Sequence, residues 1–111
     1  MSSKIIIYQS FPRLFGNKNK DCAPNGTIGE NGCGKFDDFT DAALHEIRNL
    51  GITHIWYTGA IEHGTMTDYS AYGIQKDYPS LLKGRAGSPY AIKDNYDVDP
   101  DLAVNVERRM D

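Results

Sequence analysis

The chain has 111 residues, the usual size of one domain, and its 40% hydrophobic and 24% charged residues are typical of a globular protein. Its net charge is −3 and its basic residues form no stripe, which makes nucleic acid a poor candidate partner. The apolar runs are far shorter than the roughly 20 residues that span a bilayer, and the amino terminus does not lead into a signal-peptide core. The compartment is left open; the sequence as written, which shows no signal peptide, predicts a soluble, cytoplasmic chain without membrane partners.

The first predicted element is a buried strand over residues 4–11. Its sequence, KIIIYQSF, is β-branched and aromatic and ends before Pro12. The segment from Gly16 to Lys35 is dense in Asn and Gly and is too long for a simple turn. We therefore expect a loop there that is either functional or mobile.

The next predicted element is a helix that starts at Asp38, its expected N-cap, and stops at Gly51. Asp41 falls in the first turn, where a carboxylate is favourable. Apolar residues recur at helical spacing along this segment: Phe39, Ala43, Ile47 and Leu50. A second buried strand, ITHIWYTG, follows at once over residues 52–59.

A strand, a helix and a strand in this order predict a βαβ unit with parallel strands, so the expected fold class is α/β. In such folds, binding sites form from the loops that leave the carboxyl ends of the strands. Two long connections leave from those ends, over 12–37 and over 59–104, whereas Gly51 alone links the helix to the second strand. This asymmetry predicts that the face with the long loops carries the function.

Asn105 is placed to cap a further helix with Glu107 in its first turn, and only six residues follow Asn105. Helices this short are barely stable unless they are packed. A βαβ unit also offers two unpaired strand edges. The sequence therefore predicts that residues 1–111 are a piece of something larger, truncated at the start of a second helix.

Three segments in this order resemble the opening of the catalytic domain of glycoside hydrolase family 13, the α-amylase family: IIIYQSFPRLF, GKFDDFTDAALHEIRNLGITHIWYTG and SPYAIKDNYDVDPDLA. The resemblance covers nearly the whole chain. It implies that residues 1–111 form about two βα units at the start of a TIM (β/α)8 barrel, with the remainder of the barrel as partner. It also implies a retaining enzyme acting on α-linked oligo- or polysaccharides, either a hydrolase or a transglycosidase.

The most specific part of the resemblance is the Tyr-x-x-x-Asp-x-Tyr spacing of Tyr90, Asp94 and Tyr96. It implies that Tyr90 is the aromatic platform that stacks on the sugar next to the scissile bond. A pyranose has an apolar face that a tyrosine ring can cover. The alternative is a half-buried tyrosine that packs the barrel rim. Asp94 and Asp97 are interpreted as structural carboxylates.

Retaining glycosidases need two carboxyl groups roughly 5–5.5 Å apart. The resemblance places the nucleophile, the acid/base and the assisting aspartate on the fourth, fifth and seventh strands, none of which is in this sequence. No catalytic residue is therefore assigned, and the 111-residue segment alone is predicted to be inactive. His63 and Glu62 follow the second strand, where active-site loops begin, and are candidates for contacts with sugar hydroxyls.

No cofactor is expected, with one alternative left open. Asn17, Asn19 and Asp21 place oxygens at alternate positions, as a calcium loop does, but Cys22 replaces its turn glycine. Cys22 and Cys33 are either two free thiols or a disulfide, and their number alone does not decide between these.

A second function, from another class, is an autonomous carbohydrate-binding or interaction module. It would use several aromatic residues: Trp56, Tyr57, Tyr69, Tyr72 and Tyr90. Such a module needs its aromatic rings on one exposed face, whereas Trp56 and Tyr57 fall in a strand that is expected to be buried. The enzyme reading is therefore preferred.

Overall fold

The computed structural model describes residues 4–111. The prediction about a signal peptide falls partly on residues 1–3, which lie outside this range. The strands are β1 (Ile7–Ser10), β2 (His54–Tyr57), β3 (Ile61–His63) and β4 (Ile92–Val98), and the helices are α1 (Pro12–Phe15), α2 (Ile28–Asn31) and α3 (Asp41–Asn49). Four short 3-10 turns lie at Phe36–Asp38, Ser70–Tyr72, Pro79–Leu81 and Pro100–Leu102. Within the described range, no helix is long and apolar enough to cross a membrane.

Strands β1 and β2 pair in parallel, with Ile7 opposite His54 and Ser10 opposite Tyr57. Helix α3 lies between them in the chain. The predicted order of strand, helix and parallel strand is therefore confirmed, and the domain is mixed α/β. Its place in a barrel stays a prediction.

Helix α3 begins two residues later than predicted. Its N-cap is Thr40, whose Oγ1 accepts a hydrogen bond from the backbone N–H of Ala43 at 3.2 Å. Asp38 was the wrong residue for this role, because its carboxylate accepts from the backbone N–H of Lys35 at 2.7 Å within the preceding 3-10 turn. Gly51 does end the helix, at a φ of +88° that favours glycine.

The prediction that both strands are buried is wrong. Neighbouring strand residues face opposite sides of the sheet, and on one side the side chains of Ile7, Gln9, His54 and Trp56 are all exposed. Ile7 is 57% and Trp56 is 54% exposed. On the other side Ser10 is buried, and the ring of Phe39 meets Tyr57 edge-on at 4.9 Å. Nothing in the described part of the chain covers the first side, which we call the open face.

The long connection after β2 is not a plain loop. It contains β3 and β4, which pair antiparallel with irregular register. The helix predicted from Asn105 is absent, and residues 107–110 form only turns. Asn105 does accept a hydrogen bond from the N–H of Arg108, at 3.4 Å. Helices this short are barely stable in water without packing against other elements.

We predict that the chain self-associates through the open face, because this face exposes the large apolar side chains of Ile7 and Trp56. The unpaired edges of the two strands offer a second route to association between copies. Sedimentation velocity should show oligomers for the wild type and a larger monomer fraction for Ile7→Glu. Leu50→Glu is the control, since Leu50 is an exposed leucine at the end of α3 rather than on the sheet. A wild type that is monomeric at all concentrations would contradict the prediction.

Candidate functional site

Two buried aspartates, Asp99 and Asp101, flank Pro100 on the 3-10 turn that follows β4, and each is 1% exposed. The turn forms because Pro100 restricts φ at its first position and Asp99 caps it. The cap is a hydrogen bond from the backbone N–H of Asp101 to Asp99 Oδ1, at 3.1 Å. This local geometry directs two carboxylates into the interior, where they need partners.

Asp101 finds its partners on three distant segments. Arg13 Nη2, from α1, lies 2.5 Å from Asp101 Oδ2. Thr65 Oγ1 shares its one proton between this oxygen, at 3.3 Å, and the Arg85 carbonyl, at 3.0 Å. The Tyr69 hydroxyl donates to Asp101 Oδ1, and Lys35 Nζ donates to the Asp101 carbonyl at 2.5 Å. We call Asp101 and its four partners the Asp101 cluster. It joins the loop that leaves β1 to the loop that leaves β3.

Two donors of the cluster, Tyr69 and Arg13, keep their protons more firmly than usual. Burial, together with the hydrogen bond to Asp101, raises the pKa of the Tyr69 hydroxyl above its ordinary value. Burial alone would lower the pKa of Arg13, but the hydrogen bond to Asp101 and the nearby negative charges raise it. Both side chains therefore act as donors and positioning groups here, and neither is suited to accept a proton.

His63 occupies the same interior rather than an open surface. Its Nε2 lies 3.1 Å from Asp99 Oδ2 and its Nδ1 lies 3.0 Å from the carbonyl of Gly64. Burial would lower the pKa of His63, but the hydrogen bond to Asp99 and the charge of Asp99 raise it above its ordinary value. As placed, both ring nitrogens are engaged with the protein, so the predicted contact with a sugar would require a rearrangement.

Glu62 is also buried, and it lies opposite Asp94 on β4. Glu62, Asp94 and Asp97 bring carboxylate oxygens within 4.8 Å of one another, an arrangement that could hold a metal ion. Burial and the charge of Asp97 raise the pKa of Glu62. Arg109 forms two hydrogen bonds with Asp97, at 2.8 and 2.7 Å, so part of this negative charge is already balanced.

Two of the candidate calcium ligands form hydrogen bonds with the backbone of their own loop. The side-chain oxygens of Asn17 and Asn19 accept hydrogen bonds from the backbone N–H two residues further on, at 3.2 and 2.8 Å. Calcium binding there stays a prediction. Cys22 and Cys33 are free thiols in this structure. Cys33 lies 3.4 Å from the carbonyl of Asp101, and its burial raises the pKa of its thiol.

Tyr90 lies in a different environment from the other two predicted residues. It is 73% exposed and lines a groove of about 560 Å³ between the segments 75–83 and 88–93, with Gly64 at its side. We call this the Tyr90 groove. Ser88 stabilises the turn that carries the ring. Its Oγ accepts a hydrogen bond from the backbone N–H of Tyr90 at 3.3 Å, and its carbonyl accepts one from the backbone N–H of Ala91 at 3.0 Å. His63 and Glu62 do not line this groove.

Sequence reasoning missed the residues that connect the Tyr90 groove to the Asp101 cluster. Lys93 Nζ lies 3.0 Å from Asp77 Oδ1, and the other oxygen of Asp77 accepts from the backbone N–H of Thr65 at 3.1 Å. Thr65 in turn donates to Asp101. These residues are far apart in the chain, so no local pattern signals the connection.

Similarity searches give no further information on the site. Comparison of the chain with family models, with curated proteins and with solved structures finds no match. The resemblance to the α-amylase family therefore rests on the three sequence segments alone.

The first prediction from this geometry concerns Asp101. Asp101→Asn should lower the free energy of unfolding by about 3 kcal/mol, the low end for breaking a buried ion pair, because Asp99 still lies 3.7 Å from Arg13. Urea denaturation followed by near-UV circular dichroism measures the change. Asp111→Asn removes the partner of Arg108 in an exposed ion pair and should have no resolvable effect. Equal effects of the two substitutions would contradict the prediction.

The second prediction concerns pH. Because the folded-state pKa of His63 is raised, its stabilising contribution is complete below the unfolded value of about 6.5 and is lost as pH rises through the folded value. Between about pH 6 and pH 9, the wild type should lose more stability than His63→Gln. His45→Gln, which changes an exposed histidine on α3, should keep the wild-type profile. Parallel profiles for the wild type and His63→Gln would refute this role for His63.

Proposed function

We propose that this chain forms a sugar-binding wall of the cleft of an α-amylase-type retaining glycoside hydrolase, with Tyr90 as the residue that stacks on a glucose unit. The observation that carries the proposal is the placement of Tyr90. Its ring is exposed in a concave groove while its backbone is held by Ser88. An exposed ring gains free energy when a ligand covers it, and the apolar face of a pyranose is a suitable cover.

The strand arrangement supports the barrel part of the proposal. A parallel pair with one partly covered side, and an open face that exposes Ile7 and Trp56, is compatible with the first strands of a (β/α)8 barrel, since barrel interiors are filled by strand side chains. The two long connections leave from the carboxyl ends of β1 and β2, and the Asp101 cluster holds parts of both together. In barrels of this kind that end carries the site.

The chemistry assigned to this chain is binding rather than bond cleavage. The proposal assigns neither the nucleophile nor the acid/base of a retaining enzyme to a residue of this chain. The sugar ring beside the scissile bond flattens toward the oxocarbenium-like transition state, and an aromatic ring stacked on it can then make closer contact. Tyr90 therefore positions the substrate in this proposal.

The exposure of Trp56 favours a second candidate function, the autonomous carbohydrate-binding module. Trp56 and Tyr57 are exposed rather than buried, which removes part of the objection to this function. However, neighbouring strand residues face opposite sides of the sheet, so the two rings do not form one platform. Tyr69 is also committed to Asp101. In this alternative, Trp56 on the open face would be the main contact with sugar.

The test measures binding of maltotetraose to the 111-residue chain by saturation-transfer difference NMR, which also works on self-associated protein. We expect Tyr90→Ala to raise the Kd about two- to tenfold and Tyr90→Phe to leave it nearly unchanged, because the stacking face matters more than the hydroxyl. Tyr96→Ala is the matched control, since Tyr96 is 91% exposed but does not line the groove.

The pattern among variants separates the two candidate functions. A loss with Trp56→Ala and none with Tyr90→Ala would favour the binding module and place the sugar on the open face. No binding to the wild type would overturn both candidates.

A further inference from the structure

We propose that Tyr78 is a second sugar-stacking residue in the Tyr90 groove, so that the groove holds two consecutive glucose units of an α-linked chain. The inference rests on the proposed function, because it concerns the same groove. Tyr78 and Tyr90 both line it, and both rings are largely exposed, at 71% and 73%. The sequence analysis did not single out Tyr78, since its segment matches no motif.

The backbone around Tyr78 is anchored although its ring is free. On one side, Asp77 is held by Lys93 at 3.0 Å and by the backbone N–H of Thr65 at 3.1 Å. On the other side, Pro79 starts a 3-10 turn in which the N–H of Leu81 donates to the Tyr78 carbonyl at 3.0 Å. Because the backbone is already anchored, binding needs to order only the side chain of Tyr78, and this favours ligand contact.

The lining of the groove suits a polyhydroxylated ligand of this size. Its volume of about 560 Å³ lies within the range of roughly 300–1,000 Å³ of small-ligand sites. Gln75, Lys76 and Lys83 line the groove on exposed positions and offer hydrogen-bond donors to sugar hydroxyls. Lys93 is different, because it pairs with Asp77 and donates to the Gln75 carbonyl. It therefore ties the groove together and is not free to bind an anion.

Two stacking residues predict a dependence on the length of the sugar. Methyl α-glucoside offers one pyranose and needs Tyr90 alone, whereas maltotetraose can cover both rings. Tyr78→Ala should raise the Kd for maltotetraose about two- to tenfold and leave that for methyl α-glucoside within about twofold. Tyr78→Phe should bind maltotetraose as the wild type does, and so should the control Tyr96→Ala. Saturation-transfer difference NMR on the 111-residue chain gives each Kd.

The outcomes separate this inference from the proposed function. If the wild type binds maltotetraose and Tyr90→Ala weakens binding while Tyr78→Ala does not, the second stacking residue is refuted and the proposed function stands. If Tyr78→Ala weakens both sugars equally, the two rings enclose one glucose unit and the two-unit proposal is wrong. If the wild type binds neither sugar, both proposals fail. The near-UV circular dichroism spectrum of each variant shows whether a loss of binding reflects a loss of fold.

Discussion

The buried carboxylate of Asp101 is the constraint on which the arrangement of the loops depends. Burying an ionised carboxylate is costly unless charge and hydrogen bonds compensate it. Here Arg13 supplies the charge, and Thr65 and Tyr69 supply hydrogen bonds. Because these partners come from segments that are 88, 36 and 32 residues away, satisfying one carboxylate brings the loops after β1 and β3 to the turn after β4.

The segments that line the Tyr90 groove are connected to this cluster by hydrogen bonds. Thr65 contacts Asp101 through its hydroxyl and Asp77 through its backbone N–H, so the segment that carries Tyr78 is tied to the buried charges. The backbone of Gly87 packs closely against the Gly64 carbonyl oxygen, which would lie only 1.8 Å from a Cβ at position 87. The φ of Gly87, +70°, also favours glycine. A rigid support under two exposed rings lowers the entropy cost of binding a flexible sugar chain.

The open face explains the main error of the sequence-based prediction. The segments that contain Ile7 and Trp56 have the composition of buried strands, but composition indicates only that residues of these types tend to be buried. It does not report which element covers them. Within residues 4–111 no element covers this face, so the two strands pair as predicted and remain exposed. The same limit applies to the site, since a position after β2 suggested accessibility for His63 and Glu62, whereas the structure buries both.

The sequence by itself determined what short-range chemistry controls: the helix from its apolar spacing, its end at Gly51, the parallel order of the first two strands, and a tyrosine in a polar turn. Only the tertiary structure decided that Asp101 would meet Arg13, that His63 would meet Asp99, and that Tyr78 would share a groove with Tyr90. The reason is physical. Helix spacing and turn residues act over a few positions, whereas the partners of a buried charge depend on how distant segments pack, and no local pattern in the sequence reports that packing.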